Sequence, residues 1–279
     1  MKNTTLSVNE KNLIKKYPLV AFFVLAYVFF FLVLMVIGGI FTLVSISPFV
    51  LDWLTAIASW TPNVAAVLVV GIISGRSAQR KLISGWLTWR VHPGWYLFGL
   101  MPLVIAVTLA GGYIALGGTP AAASTSITGT SLFWMIIFNL IQGATGEELG
   151  WRGFALPRLQ QRYSPLVSAL ILGLAIAGWH SILHLIVPTS IPEWLFWLEL
   201  VCYSVIVAWG YNRSGSLVIV SLFHFASNFG FAFVTNGLGW VSLENIFWVY
   251  TVVYALWALG IIWVAGKRFL QKPTPATDI

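Results

Sequence analysis

The feature that most constrains this chain is a series of apolar segments that charged residues hardly interrupt. A soluble domain typically carries about 25% charged residues, whereas charged residues make up 8% of this sequence and apolar residues 59%. A soluble fold of this size could not cover its surface with so few charges. We therefore predict an all-α, polytopic membrane bundle.

Crossing the hydrocarbon core takes about 20 apolar residues of helix. About eight segments satisfy this, near 18–44, 53–74, 94–117, 131–155, 165–187, 192–211, 215–236 and 241–266. The fourth is the least regular, because two glutamates and Pro157 interrupt it. Neither a soluble domain nor a clear repeat is found, so 1–279 is predicted to be a single integral-membrane domain.

Basic residues predict the orientation. With these spans, 14 of the 15 Lys and Arg residues fall on one side of the membrane. They are Lys2, Lys11, Lys15, Lys16, Arg76, Arg80, Lys81, Arg90, Arg158, Arg162, Arg213, Lys267, Arg268 and Lys272. The positive-inside rule then places both termini in the cytoplasm, for a multi-pass protein of the cell membrane. The net charge of +7 comes from these Lys and Arg residues, which anionic lipid favours on the cytoplasmic side of the membrane. It does not indicate a nucleic-acid partner.

Ionisable side chains inside spans are costly, and they commonly mark functional sites or buried pairs. The set here is Glu147, Glu148, Arg152, His180, His184, Glu199 and His224, with Asn228 as a polar companion. We expect a helix–helix or supporting contact for Glu199 and a structural role for His184.

Three of these groups are predicted at a common depth. Glu147 lies 16 residues before the polar turn at 163–164, and His180 lies 16 residues after it. At about 1.5 Å per residue, both are roughly 24 Å from that turn. Asn228, 15 residues beyond Arg213, reaches a similar level.

Helical spacing separates the two adjacent glutamates. Glu148 and Arg152 are i and i+4, which suits an ion pair. Glu147 is rotated about 100° away, so it is free to face a cavity. Gly146 and Gly150 form a GxxxG pair, which predicts close packing against another helix.

These residue types suit a hydrolase that activates water. A carboxylate in a low-dielectric cavity has a raised proton affinity and can act as a general base. One imidazole can orient the water, while another imidazole and a carboxamide stabilise an oxyanion. Glu147, His180 and His224 are equally a plausible zinc set, although no HExxH motif is present. Ligand types alone leave both alternatives open.

Three motifs, "EELGWR", "GWH" and "HFASN", follow in order on three spans. Over about 130–232 the chain resembles the CPBP family of intramembrane proteases, the CAAX-protease and bacteriocin-processing or Abi family. The resemblance implies that Glu147 activates a water with His180. It also implies that His224 and Asn228 stabilise the oxyanion of the scissile carbonyl.

The resemblance further implies that Glu148 and Arg152 support the site. The family's second motif usually reads FxxxH, and this chain has Ile176 at the aromatic position. On this pattern no metal is required, with zinc as the alternative.

The sequence thus predicts an intramembrane endopeptidase acting on a peptide or a membrane-anchored protein, from within the lipid bilayer. Its cavity would be reached from the cytoplasm or laterally from lipid. The alternative is a non-catalytic binding or immunity factor, or a proton-coupled transporter, since transporters also place such groups at mid-membrane.

Overall fold

A computed structural model describes residues 13–45, 47–118, 128–185, 189–237, 243–266 and 269. Its α-helices are α1 (Leu13–Lys16), α2 (Pro18–Leu43), α3 (Pro48–Ala58), α4 (Thr61–Ile83), α5 (Gly94–Ala115), α6 (Gly129–Asn139), α7 (Leu156–Gln160), α8 (Pro165–His184), α9 (Glu193–Ser214), α10 (Leu217–Ala232) and α11 (Leu243–Ala265). Among these residues no strand forms, and seven segments are long and apolar enough to cross a membrane. The predicted helical membrane bundle is confirmed. Of the 14 Lys and Arg residues predicted to lie on one side of the membrane, Lys2, Lys11, Lys267, Arg268 and Lys272 lie outside the described residues.

The predicted fourth span is not one continuous helix, and it is not among the seven apolar spans. Helix α6 ends at Asn139, and the backbone then leaves helical geometry at Gln142 (ψ 140°) and Gly143 (φ 59°, ψ −69°). Helical turns resume over Leu149–Ala155, with π-type geometry, and lead into α7. The polar, glycine-rich sequence at 142–146 explains the break, because it offers the backbone alternatives to the helical ladder.

Serines begin several helices in the manner expected of N-caps. The hydroxyl of Ser164 accepts a hydrogen bond from the backbone N–H of Val167, and Pro165 occupies the first helical position. Ser216 caps α10 in the same way, directly after Gly215 ends α9 with a φ of 65°. These caps fix where antiparallel neighbours turn, and therefore the relative depth of their side chains.

Aromatic packing joins α2 to α8 and to the segment after the break. The rings of Phe30 and Trp179 stack with centroids 3.9 Å apart, and the Trp179 indole N–H donates to the carbonyl of Ala26. Trp151 meets Phe22 edge-on at 5.4 Å and Trp179 at 6.0 Å. Both tryptophans are essentially fully buried. This aromatic cluster therefore packs the segment that carries the glutamates against α2 and α8.

The corner between α3 and α4 holds the irregular backbone in place. The side-chain amide of Asn63 donates to the carbonyl of Thr145 (2.7 Å) and accepts from the backbone N–H of Gly150 (2.9 Å). Asn63 is only 5% exposed. Non-helical backbone at membrane depth is tolerated where such partners replace the lost hydrogen bonds.

Two neighbours of Asn63 complete this support. The hydroxyl of Ser59 accepts a hydrogen bond from the N–H of Gly143 (3.2 Å). The indole N–H of Trp60 donates to the carbonyl of Ile141 (3.1 Å). Backbone groups on both sides of the break are thus satisfied from a single corner of the bundle.

The predicted close packing at the GxxxG pair is confirmed. A Cβ atom on Gly150 would lie 2.6 Å from the backbone carbonyl of Pro62. A Cβ on Gly146 would lie 2.7 Å from the hydroxyl of Ser59. The two glycines let the segment that carries the glutamates press directly against the start of α4.

Replacing Asn63 with Leu should destabilise the protein and reduce its activity. The change removes the hydrogen bond to the Thr145 carbonyl and one of the two acceptors of the Gly150 N–H, which also donates to the carbonyl of Glu147 (3.0 Å). Each lost buried partner costs about 1–3 kcal/mol at most. Thermal unfolding in detergent, followed by tryptophan fluorescence, should show a clearly lowered Tm. Thr251→Ala is a suitable control, because that buried hydroxyl bonds only the carbonyl of Phe247 on its own helix. Equal Tm values for the two variants would contradict the supporting role of Asn63.

Candidate active site

One cavity of about 590 Å³ gathers the predicted functional residues. Its walls include Glu147, His180, His224 and Asn228, together with Arg152, Glu199 and Tyr203. These residues come from the broken segment and from α8, α9 and α10. The structure therefore brings all four predicted catalytic side chains to one cavity within the bundle.

Glu147 presents a carboxylate that has no basic ion-pair partner among the described residues. It is 3% exposed, and its Oε2 accepts a hydrogen bond from the indole N–H of Trp151 (3.1 Å). Trp151 lies one turn further along the chain, and sequence reasoning missed this contact. The indole holds one oxygen of the carboxylate, while the residue lines the cavity.

His180 has a tautomer that its local geometry assigns. Its Nδ1 lies 2.9 Å from the carbonyl oxygen of Ile176. A carbonyl can only accept, so Nδ1 carries the hydrogen, and in the neutral ring Nε2 is left as an acceptor. Trp179 contacts the His180 ring edge-on at 4.8 Å, and Phe196 does so at 5.8 Å. These rings provide aromatic packing although Ile176 replaces the usual phenylalanine.

A buried three-residue network lies beside this pair. Oε1 of Glu148 accepts from Nη1 of Arg152 (3.1 Å) and from Nδ1 of His224 (2.7 Å). Glu148 is 0% exposed and Arg152 is 1% exposed, and the guanidinium also lies 5.4 Å from the ring of Tyr203. The predicted Glu148–Arg152 ion pair is confirmed. The contact with His224, 76 positions away in sequence, was not predicted.

His224 and Asn228 converge on the backbone at Gly143. A Cβ built on Gly143 would lie 2.5 Å from Nε2 of His224 and 3.0 Å from Nδ2 of Asn228. Two side-chain nitrogens thus point to one place where only a glycine fits. Because Nδ1 of His224 donates to Glu148, its Nε2 is the atom that faces this place.

The zinc alternative can be tested against the arrangement of ligands. Across the described ranges, no three His, Cys, Asp or Glu side chains are grouped so that they could hold one metal ion. Glu147, His180 and His224 share the cavity walls without forming such a group.

The two remaining ionisable residues inside spans differ from each other. Nδ1 of His184 lies 2.8 Å from Oε2 of Glu193, whose other oxygen accepts hydrogen bonds from Ser181 and Trp197. This cluster joins the end of α8 to the start of α9, in keeping with the structural role expected for His184. Glu199 faces the cavity and makes no hydrogen bond to another described residue.

Comparison with known proteins identifies the family of this chain. A family model described as type II CAAX prenyl endopeptidase Rce1-like matches residues 129–230. A CAAX prenyl protease 2 of Methanococcus maripaludis is 32% identical over 189 residues, which cover 63% of this chain and 67% of that protein. The chain belongs to the CPBP family of intramembrane proteases. It is accordingly a membrane-embedded peptidase, which favours the predicted endopeptidase over a transporter or a binding factor.

Gly143→Ala should sharply reduce activity in this CPBP protein. The new methyl group would push the His224 ring from its position, and removing one oxyanion donor typically costs about 10²–10³-fold in rate. The positive φ adds about 1–3 kcal/mol of strain. Peptide cleavage and Tm should be measured beside Gly111→Ala, where a Cβ meets nothing within 4 Å. Wild-type cleavage by Gly143→Ala would contradict the convergence of His224 and Asn228 at this glycine.

Proposed function

We propose that this endopeptidase hydrolyses its substrate with a water held between Glu147 and His180. The observation that carries the proposal is the convergence of Glu147, His180, His224 and Asn228 on one cavity inside the bundle. The proposed substrate is a peptide or a membrane-anchored protein, cleaved within the bilayer of the cell membrane. Both termini are proposed to be cytoplasmic, as the distribution of Lys and Arg predicts.

Glu147 is the proposed general base. Its carboxylate takes a proton from the water while the water oxygen attacks the carbonyl carbon of the scissile bond. Nε2 of His180, left as an acceptor by the Nδ1–Ile176 hydrogen bond, orients the same water. The proton then passes from Glu147 to the leaving amine nitrogen when the C–N bond breaks. The acyl product thus gains the hydroxyl group of the water, and the amine product gains its proton.

His224 and Asn228 are the proposed oxyanion donors. The amide of Asn228 donates through Nδ2, and the protonated ring of His224 donates through Nε2. Nδ1 of the same ring donates to the carboxylate of Glu148, which fixes the direction of the ring. Both residues line the cavity beside Gly143, so the oxygen of the tetrahedral intermediate is proposed to lie in the cavity within reach of both nitrogens. Donors already fixed in place stabilise developing charge effectively in a cavity of low dielectric constant.

The relative's name supplies the first substrate to test. The Methanococcus maripaludis protein is called a CAAX prenyl protease. A fluorescence-quenched peptide that ends in a farnesylated CAAX sequence is therefore a suitable probe, beside the same peptide without the farnesyl group. A panel of quenched peptides derived from membrane anchors extends the search to other substrates.

Glu147→Gln should abolish cleavage while the protein stays folded. The amide keeps the size of the side chain but cannot accept the proton, and a general base contributes about 10²–10⁴-fold to the rate. Cleavage rate and Tm should be measured in detergent for this variant and for Glu193→Gln, the same change outside the cavity. Glu193→Gln should cleave at a rate within about twofold of wild type, because its amide oxygen can still accept the hydrogen bonds from Ser181 and Trp197. Full activity in Glu147→Gln would overturn the proposal.

Chelation should leave the rate unchanged if Glu147 and His180 alone activate the water. Purified protein should be incubated with 1,10-phenanthroline, assayed on the cleaved peptide, and assayed again after zinc is added. Loss of cleavage that zinc restores would instead favour the alternative in which Glu147, His180 and His224 bind the metal.

A further inference from the structure

The cavity occupies only one half of the bundle. On α9, the lining residues run from Phe196 to Tyr203, although the helix continues to Ser214. On α10, which runs in the opposite direction from Leu217, the first lining residue is His224. On both α9 and α10, the half of the helix that lines the cavity is therefore the half that lies away from the turn at 214–216.

The other helices show the same asymmetry. On α8, which begins at Pro165, the lining residues are Ile176 and His180. On α11 they lie between Phe247 and Tyr254, in the half nearer the start of that helix. Every one of these halves adjoins the same end of the bundle.

That end is opposite the basic residues. We call the end that carries Lys16, Arg80, Arg90, Arg162 and Arg213 the basic rim. The other end, which we call the opposite rim, comprises the ends of α2, α5, α8 and α10 and the starts of α3, α6, α9 and α11. Aromatic contacts join elements of the opposite rim: Phe49 with Trp134, Trp194 with Trp248, and Phe231 with Phe247.

The exposed lining residues are found at the opposite rim. Phe49 is 51% exposed and Trp134 is 43% exposed, and Asp52 is exposed beside them. Toward the basic rim the cavity ends in buried side chains, since Arg152 is 1% exposed and Tyr254 is also 1% exposed. The cavity therefore has its mouth at the opposite rim and its floor in the middle of the bundle.

We propose that substrate reaches the catalytic residues from the opposite rim, which the positive-inside rule makes the non-cytoplasmic face. The substrates are then peptide segments presented at that face or in the adjoining leaflet. The sequence left two routes open, one from the cytoplasm and one laterally from lipid. The proposal replaces the cytoplasmic route with access from the non-cytoplasmic side and keeps lateral access from the leaflet on that side. This inference rests on the proposed function, because it concerns the substrate of the same site.

Thiol blocking of the mouth tests the route. In a background where Cys202 is replaced by Ser, Asp52→Cys is reconstituted in vesicles and treated outside with a bulky, membrane-impermeant maleimide. The quenched peptide cleaved in detergent is then supplied outside. The protein can insert into vesicles in both orientations. The reagent and the peptide are both outside, so on the proposed route only molecules with Asp52→Cys facing outward are labelled and contribute to external cleavage. External cleavage should fall by about tenfold or more relative to the unlabelled variant, because the adduct occupies the path of the peptide. A tenfold fall corresponds to about 1.4 kcal/mol in the free energy of activation.

Two controls make the result specific. Arg162→Cys, exposed at the basic rim, should be labelled by the same reagent with its external cleavage unchanged. A small methylthio adduct on Asp52→Cys should leave cleavage largely intact, because it does not fill the mouth. Unchanged external cleavage after full labelling of Asp52→Cys with the bulky reagent would overturn the proposed route.

Labelling in intact cells tests the side of the membrane. Asp52→Cys should react with the impermeant reagent directly, whereas Arg162→Cys should react only after the cells are permeabilised. The reverse pattern would overturn the assignment of the mouth to the non-cytoplasmic face. Absence of cleavage in detergent, where both rims are accessible, would count against the proposed function and not against the route.

Discussion

The site depends on the buried carboxylate of Glu148, whose Oε1 accepts from both Arg152 and His224. Breaking such a buried pair by removing one partner typically costs about 3–5 kcal/mol, because it leaves an uncompensated charge. The network therefore fixes the position of α10 relative to the segment that carries the glutamates. It also sets the direction of the His224 ring, since Nδ1 is committed to Glu148 and Nε2 must face Gly143. Glu148 thus positions the side chains around the cavity in which Glu147 is the proposed general base.

The helix before this network is broken, and the break brings its backbone against α10. Between α6 and the glutamates, the backbone at Gln142 and Gly143 is not helical, and this brings Gly143 against His224 and Asn228. In a membrane such a break requires replacement hydrogen bonds, and the α3–α4 corner supplies them through Ser59, Trp60 and Asn63. The α3–α4 corner therefore stabilises the broken backbone on which the geometry of the site depends.

Local spacing was sufficient to predict much of this arrangement. The i, i+4 relation of Glu148 and Arg152, the separate direction of Glu147 and the close packing at Gly150 all follow from helical geometry. The common level of Glu147, His180 and Asn228 followed from counting residues from polar turns. What could not be predicted depends on contacts between distant segments. The bond from His224 to Glu148 joins α10 to the broken segment, and Asn63 acts on a backbone some 80 positions away. The break itself was only suggested by interrupted hydrophobicity, so a continuous fourth span was predicted.

A structure of the protein with a peptide aldehyde tests the account most directly, because its hydrate has the tetrahedral geometry of the reaction intermediate. One oxygen of the hydrate should lie about 2.7–3.1 Å from Nε2 of His224 and Nδ2 of Asn228. The other oxygen should lie within hydrogen-bonding distance of the Glu147 carboxylate. An aldehyde bound in the cavity with its oxygens against other side chains, or bound outside the cavity, would contradict the assigned roles.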